Sequence, residues 1–507
     1  MLAPLLWCLA LGLVGFPLPA ASAVKNLPRF TTFGWLAPPP ECTDSLHVDD
    51  YADAGLNVML PAWRDSGLVA DTQARLDLAE ARGLTCIAWD RRLRQVNPED
   101  PATFGVLDSI VARFADQPAF LAYYLGDEPA PARWPLMAGF FARLAERDPD
   151  HPGWNNLVGR GSFSSYEDFV GFLRQYVALV HPSILCNDHY DLLSGRDLGL
   201  QVENVRGIAE VARESGLPFW GIVLATPHRP FRAPGEGELR WQIGTWLSYG
   251  ARGIGWFTYW TPDADTVYDW QPGLVDSAGR RSPLWEIARR VNRDARGVGV
   301  ELAGAAWQRT QYAGSRPSRG DAFAPDDVIQ GITGRACVAA FADSLGRDLR
   351  FVANSDSTGA QVVTLQLTPG RRTEQLEPAT GRWHRIEACG SAAAAGLALA
   401  LGPGEFTLLR FPRTPTGPAL ARRRLEARPN PARGTVDLIA DGCAPGEILE
   451  IRDLAGRIVR TIPLPPEGVP ATWRGERDDG AMARPGVYFV RVGSGARAAT
   501  RRIVWSP

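Results

Sequence analysis

The chain has 507 residues, 45% of them hydrophobic, and a formal net charge of −2; the length predicts about two to four domains, and so balanced a charge excludes the basic surface that nucleic acid or an anionic membrane requires. Lys25 is the single lysine, which excludes a lysine-bearing phosphate loop and an interior Schiff base, and the GxSxG, HExxH and GxGxxG patterns of other enzyme classes are absent too. A small neutral or locally charged ligand is expected, with no cofactor.

In chain order, residues 1–23 read as a signal peptide. An apolar run over 2–18 is followed by Ala21-Ser22-Ala23, the small-x-small pattern of a cleavage site. The mature protein is therefore expected to be exported, either secreted or held at a bacterial cell surface. No later apolar run reaches the ~18 residues that span a bilayer. From 24 to 296 short apolar runs alternate with helical patterns. The predicted strands are 30–36, 56–63, 84–90, 120–126, 153–157, 184–190, 218–226 and 253–260, each followed by a predicted helix: 44–54, 72–82, 102–116, 133–146, 165–180, 200–214, 237–249 and 283–294. Gly55, Gly83 and Gly216 mark returns from helix to strand. Eight such units predict an α/β fold, a (β/α)8 TIM barrel.

In such a barrel the chemistry sits at the C-terminal ends of the strands. The fourth strand ends in Tyr123-Tyr124-Leu125-Gly126-Asp127-Glu128-Pro129. Pro129 has no N–H for the ladder, so the strand stops there with two neighbouring carboxylates. Capping of the next helix by one of them is the plainer alternative. The other strand ends supply Trp35, Trp63, Asp90, Asn155, Asp188, Tyr190, His228 and Trp260. Indole faces stack on sugar C–H surfaces while carboxylates and amides bind hydroxyls, so the predicted substrate is a carbohydrate. Trp35, Trp63, Asp90, Asn155, Tyr190, His228 and Trp260 are the candidate binding residues. Asp263, Asp265 and Asp269 follow the eighth strand with acidic spacing but no EF-hand glycine, and read as a polar loop beside the cleft; no metal site is predicted.

This region resembles the clan A glycoside hydrolases, whose fourth strand ends in Asn-Glu-Pro with the Glu as acid/base. Gly126-Asp127-Glu128-Pro129 stands at that place, and the resemblance implies a glycosidase with Glu128 as proton donor. The seventh strand departs from the family pattern: Phe219-Trp220-Gly221-Ile222-Val223-Leu224-Ala225-Thr226 holds no carboxylate where the nucleophilic Glu is expected. A glycosidase needs a second group, either nucleophile or base. Asp188 is one candidate. The other is a substrate acetamido group oriented by Asp127, since the Asp-Glu order resembles the substrate-assisted β-N-acetylhexosaminidases, with Tyr190 holding the acetamido oxygen. A non-catalytic carbohydrate-binding or surface-attachment protein on a silent barrel is the competing class. A second carboxylate within reach of Glu128 separates the two.

Beyond 297, alternating runs at 337–341, 349–353, 361–367 and 405–411 predict a β-sandwich accessory domain over 297–412. Six cysteines follow the leader, none in a CxxC spacing; Cys337 with Cys389 is the first disulfide to test, and free buried cysteines are the equal alternative. A Pro- and Arg-rich linker spans 413–424. The last unit, 425–507, contains Pro429-Asn430-Pro431, Trp473-Arg474-Gly475 and Pro485-Gly486-Val487-Tyr488-Phe489. It resembles the immunoglobulin-like C-terminal domains of flagellar-hook capping proteins and type nine secretion sorting domains, which implies contact with secretion machinery or the cell surface. Residues 501–507 depart from the Lys-ended sorting tails.

Overall fold

The barrel strands are β1 Thr31–Gly34, β2 Val58–Met59, β3 Thr85–Ala88, β4 Phe120–Asp127, β5 Gly153–Asn156, β6 Leu185–Asp188, β7 Phe219–Leu224 and β8 Gly253–Phe257. In this computed structural model the described residues are 24–507 except 63, 98–99, 344–346, 388–394, 413–423, 442, 444–445, 455, 466–468 and 494–498. The leader, most of the predicted linker, Trp63 and Cys389 lie outside them. The eight strands pair in parallel in the order β5-β4-β3-β2-β1-β8-β7-β6. The ends of that order meet through a parallel bridge between Leu157 and Asn187, where the Leu157 N–H donates to the Cys186 carbonyl at 2.9 Å.

Helices α1 Ser45–Asp53, α2 Val69–Ala81, α3 Phe104–Phe114, α4 Trp134–Arg147, α5 Tyr166–Val180, α6 Gln201–Ser215, α7 Glu236–Ser248 and α8 Pro283–Leu302 follow the strands in turn. The last runs past the predicted end at 294 because Val291, Ala295, Val298 and Leu302 continue its buried stripe at helical spacing.

Strand alternation sorts side chains between two cores. Phe33, Val58, Ile87, Leu121, Trp154, Cys186, Trp220 and Ile222 fill the barrel interior, with Trp35, Tyr124, Tyr190 and Phe257 packed above them. Tyr123, Phe219 and Trp256 point outward into the strand–helix layer. Gly221 makes room for that layer at one critical place: a Cβ there would lie 2.1 Å from the Trp246 ring of α7.

The chain divides into two compact units, Met1–Arg413 and Thr414–Pro507. In the first, the barrel is followed by a seven-stranded sheet that includes Ala305–Ala313, Ala336–Asp343, Asp348–Asn354 and Phe406–Phe411, and by a three-stranded sheet of Ile329–Thr333, Gln361–Leu367 and Ala395–Leu401. The larger sheet is apolar on both faces. Cys337, Ala339, Phe341, Phe351 and Phe406 join the core that contains Trp246 of the barrel, while Val338, Val352, Leu409 and Phe411 pack against Val363 and Leu365 of the smaller sheet. That double burial ties sandwich to barrel.

The second unit is built from a three-stranded and a five-stranded sheet. Its core holds Trp473, Trp505 and Tyr488, the two indoles 5.4 Å apart.

Candidate active site

Two adjacent residues on a regular strand face opposite ways. At the end of β4 that rule is broken by a shift of register against β5 between Tyr124 and Gly126, after which Asp127 stands opposite Asn156. Such a bulge re-aims the side chains that follow it. Gly126 has φ 138° and Glu128 φ 41°, a left-handed conformation that is costly for a residue with a side chain. The Glu128 N–H donates to the Asn156 carbonyl at 3.0 Å and holds that conformation. Neither acid caps a helix: the 3₁₀ turn Pro131–Arg133 and α4 have no side-chain cap at their N-termini.

Asp188, at the end of β6, completes the cluster. The Asn156 side-chain amide donates to Asp188 Oδ1 at 2.8 Å and to Asp127 Oδ1 at 3.2 Å. Glu128 and Asp188 share a side-chain hydrogen bond, and the Tyr190 hydroxyl donates to Asp188. Among the described residues no arginine or lysine pairs with any of the three acids.

The electrostatics follow from this crowding. Burial pushes the Glu128 carboxyl up to about 7, and the negative charges of Asp188 and Asp127 add to the rise. Asp127 is pushed up to about 6, mainly by burial and also by Asp188, while the Asn156 amide and the Glu128 N–H pull the other way. Asp188 is raised by burial against the opposing donors Asn156 and Tyr190. Asp127 and Glu128 are both open to water, but the walls of the barrel mouth replace much of the solvent around their carboxyls. Desolvation and like charge both favour the protonated acid, so the cluster retains a proton at a pH where isolated carboxylates have lost theirs.

The rest of the mouth is aromatic. The Trp35 ring lies 6.4 Å from Tyr124 and 6.3 Å from Trp154, and with Leu60, Ala62 and Trp89 it lines a cavity of about 140 Å³. Tyr190 packs on Phe257 at 5.2 Å, and His228 lies over Trp270 at 4.6 Å. Burial lowers the His228 pKa, against the Thr226 carbonyl, which favours the protonated ring. Its Nδ1–H donates to the Thr226 carbonyl at 2.9 Å, so in the neutral ring Nε2 is the acceptor.

Four predicted binding residues stand elsewhere or cannot be placed. Asp90 is buried and caps the 3₁₀ turn after β3, accepting from the Arg92 N–H and Nε at 2.9 Å each. Asn155 points to the helix side, where its Oδ1 accepts from the Tyr176 hydroxyl of α5 at 2.5 Å; Asn156, one residue on, faces the mouth. Trp260 is buried against His47 of α1, ring centroids 5.8 Å apart. Trp63 lies outside the described residues. Asp263 is paired with Arg64 and Asp269 with Arg229, while Asp265 accepts from the Tyr268 N–H and, at 2.7 Å, from Trp270 Nε1, fixing the loop that carries the aromatic wall. Cys337 is buried beside Ser248 and Tyr312.

No protein-family model matches the sequence, and no curated protein sequence matches it. Solved structures do. A catalytic mutant of a GH42 β-galactosidase from G. stearothermophilus matches with a TM-score of 0.51 at 10% identity, over 78% of this chain and 100% of that one. A β-galactosidase from Bacillus circulans sp. alkalophilus matches with 0.51 at 8% identity, over 76% and 99%. At such identities the likeness is one of fold. This chain has an eight-stranded TIM barrel followed by further β-sheets.

Proposed function

We propose that this protein is an exported glycoside hydrolase in which Glu128 is the general acid and Asp188 the second catalytic group. One observation carries the reading: the carboxyls of Glu128, just past β4, and Asp188, at the end of β6, meet at the barrel mouth and share a hydrogen bond, and Asp188 also accepts from the Asn156 amide. Of the two acids at the end of β4, Glu128 is pushed up further, to about 7 against about 6 for Asp127, the direction a proton donor working near neutral pH requires. The hydrogen-bonded contact of Glu128 with Asp188 is closer than the ~5–5.5 Å of retaining or the ~6.5–9.5 Å of inverting carboxyl pairs, so catalysis requires the two acids to part as substrate enters. A glycosidic oxygen entering the mouth takes over the Glu128 proton, and the freed Asp188 oxygen serves as base or nucleophile. The Tyr190 hydroxyl is engaged with Asp188 and Asp127 with Asn156, which supports Asp188 over the acetamido alternative. The competing class, a silent binding barrel, required that no second carboxylate stand within reach of Glu128.

The leader over 1–23 supports export, and the two-sheet C-terminal unit supports the immunoglobulin-like reading, with contact to secretion machinery or the cell surface. Mature protein from the medium should begin at Val24.

Screening alkyl, aryl and oligosaccharide glycosides, N-acetylhexosaminides included, tests the activity. Glu128→Gln should lower kcat by about 10²–10⁴-fold on glycosides with poor leaving groups, and much less on aryl glycosides, whose leaving group needs no proton. Equal losses on both, or unchanged turnover, would remove Glu128 from the role of acid.

A further inference from the structure

We infer that Asn156 is a positioning residue that decides which acid of the cluster carries the proton: by giving one amide hydrogen to Asp127 and the other to Asp188, it holds those two as anions and leaves the proton on Glu128. This rests on the proposed function for its catalytic meaning, but the proton assignment itself needs no substrate.

The argument is a count of donors. Asp188 accepts from the Asn156 amide at 2.8 Å and from the Tyr190 hydroxyl. Asp127 accepts from the same amide at 3.2 Å, and the neighbouring Glu128 N–H, whose own acceptor is the Asn156 carbonyl, also favours its charged form. Among the described residues no donor reaches the Glu128 side chain in this way: the charged and polar groups that act on it are Asp127 and Asp188, and both raise it. Hydrogen bonds to a carboxylate favour its charged form, so the two aspartates are the better anions and Glu128 the better acid, its O–H directed at Asp188. The remaining titratable groups facing the cluster are Tyr124 beside Asp127, Cys186 beneath Asp188, and His189 beside Asp188. Of these only His189, whose charge favours ionised Asp188, is a cation when protonated. Asn156 also holds Glu128 through its backbone carbonyl. Its side-chain Oδ1 is buried without a partner, a cost that a residue selected only for packing would not carry.

The test is a titration of ¹³C-labelled side-chain carboxyls by NMR in the full-length protein. In the wild type Glu128 should titrate last of the three acids. In Asn156→Ala both aspartates lose a donor, and the Glu128 midpoint should fall by about one unit while that of an aspartate rises. Asn156→Ser keeps one donor, cannot serve both acids, and should give an intermediate shift; it also covers the case in which the alanine variant fails to fold. If Glu128 keeps its midpoint in the folded variants, or titrates before an aspartate in the wild type, the inference is overturned. On a hydrolysed glycoside the alkaline limb of kcat/KM should move down with the Glu128 midpoint. Should the titration behave as stated while no glycoside is hydrolysed, the proposed function fails and the proton assignment stands.

Discussion

Replacing Glu128 by Gln should stabilise the protein at the same time as it disables the site. The carboxyl rises from 4.5 to about 7 in the folded chain, and at ~1.4 kcal/mol per unit the full shift corresponds to about 3 kcal/mol. Glu128 is open to water on one side and titrates together with Asp188, so roughly 1–2 kcal/mol is the realistic share. The sign follows from the direction of the shift. A carboxyl whose pKa is raised by folding binds its proton more tightly in the native state, and its favourable contribution is complete below about 4.5 and lost as the pH climbs through about 7. Glutamine cannot ionise, and its side-chain N–H can still donate to Asp188. The variant should therefore match the wild type at pH 4 and exceed it at pH 8, with the transition of the barrel-containing unit raised by about 1–3 °C in scanning calorimetry. A variant equally stable at pH 8, or destabilised alike at both, would show that Glu128 does not ionise against its surroundings and would remove the basis for its acid role.

Other substitutions probe the same cluster from different sides. Asp188→Asn removes a charge that raises Glu128, so the alkaline limb of the kcat/KM profile should fall by about one unit, and kcat should drop by roughly 10²–10⁴-fold; an unmoved limb would argue against the contact. Gly159→Ala would place a Cβ 2.0 Å from the Asp188 carbonyl oxygen. It should displace the end of β6 and cost about 1–3 kcal/mol in denaturant unfolding, together with a fall in kcat. Wild-type unfolding with lost turnover would confine the effect to Asp188 placement.

The barrel was legible because each βα unit repeats the same local chemistry, an apolar run followed by a 3.6-residue stripe, and eight repeats average out local errors. The mouth was less legible because facing depends on parity. At β5 the inward Trp154 implies that Asn156 also faces inward and Asn155 outward, and the Tyr176 hydroxyl confirms the outward direction of Asn155. At β4 the same count fails, since the register shift after Tyr124 resets it, and only Gly126 hints at the irregularity. Asp90 and Trp260 sit near strand ends as predicted. Arg92, two residues past Asp90 in sequence, and His47, on a helix far from Trp260 along the chain, draw them into structural contacts. The accessory sandwich was visible as alternating strands, but the burial of its larger sheet on both faces depended on barrel helices that alternation alone does not identify.

The empty end of β7 and the crowded ends of β4 and β6 belong together. Thr226, the polar side chain past β7, is buried and bonded to Thr258 at 3.1 Å, and β7 itself ends without a carboxylate. Three carboxyls meet instead across β4 and β6, with an amide and a hydroxyl as their donors and no paired arginine among the described residues. For stability alone this is a poor arrangement. Like charges in a desolvated mouth oppose folding at neutral pH, and asparagine or glutamine would fill the same volume without that cost. Glu128 adds backbone strain to the electrostatic cost. Strain and uncompensated charge at the C-terminal mouth of a barrel coincide where chemistry is expected, and the coincidence favours a working acid cluster over a structural remnant.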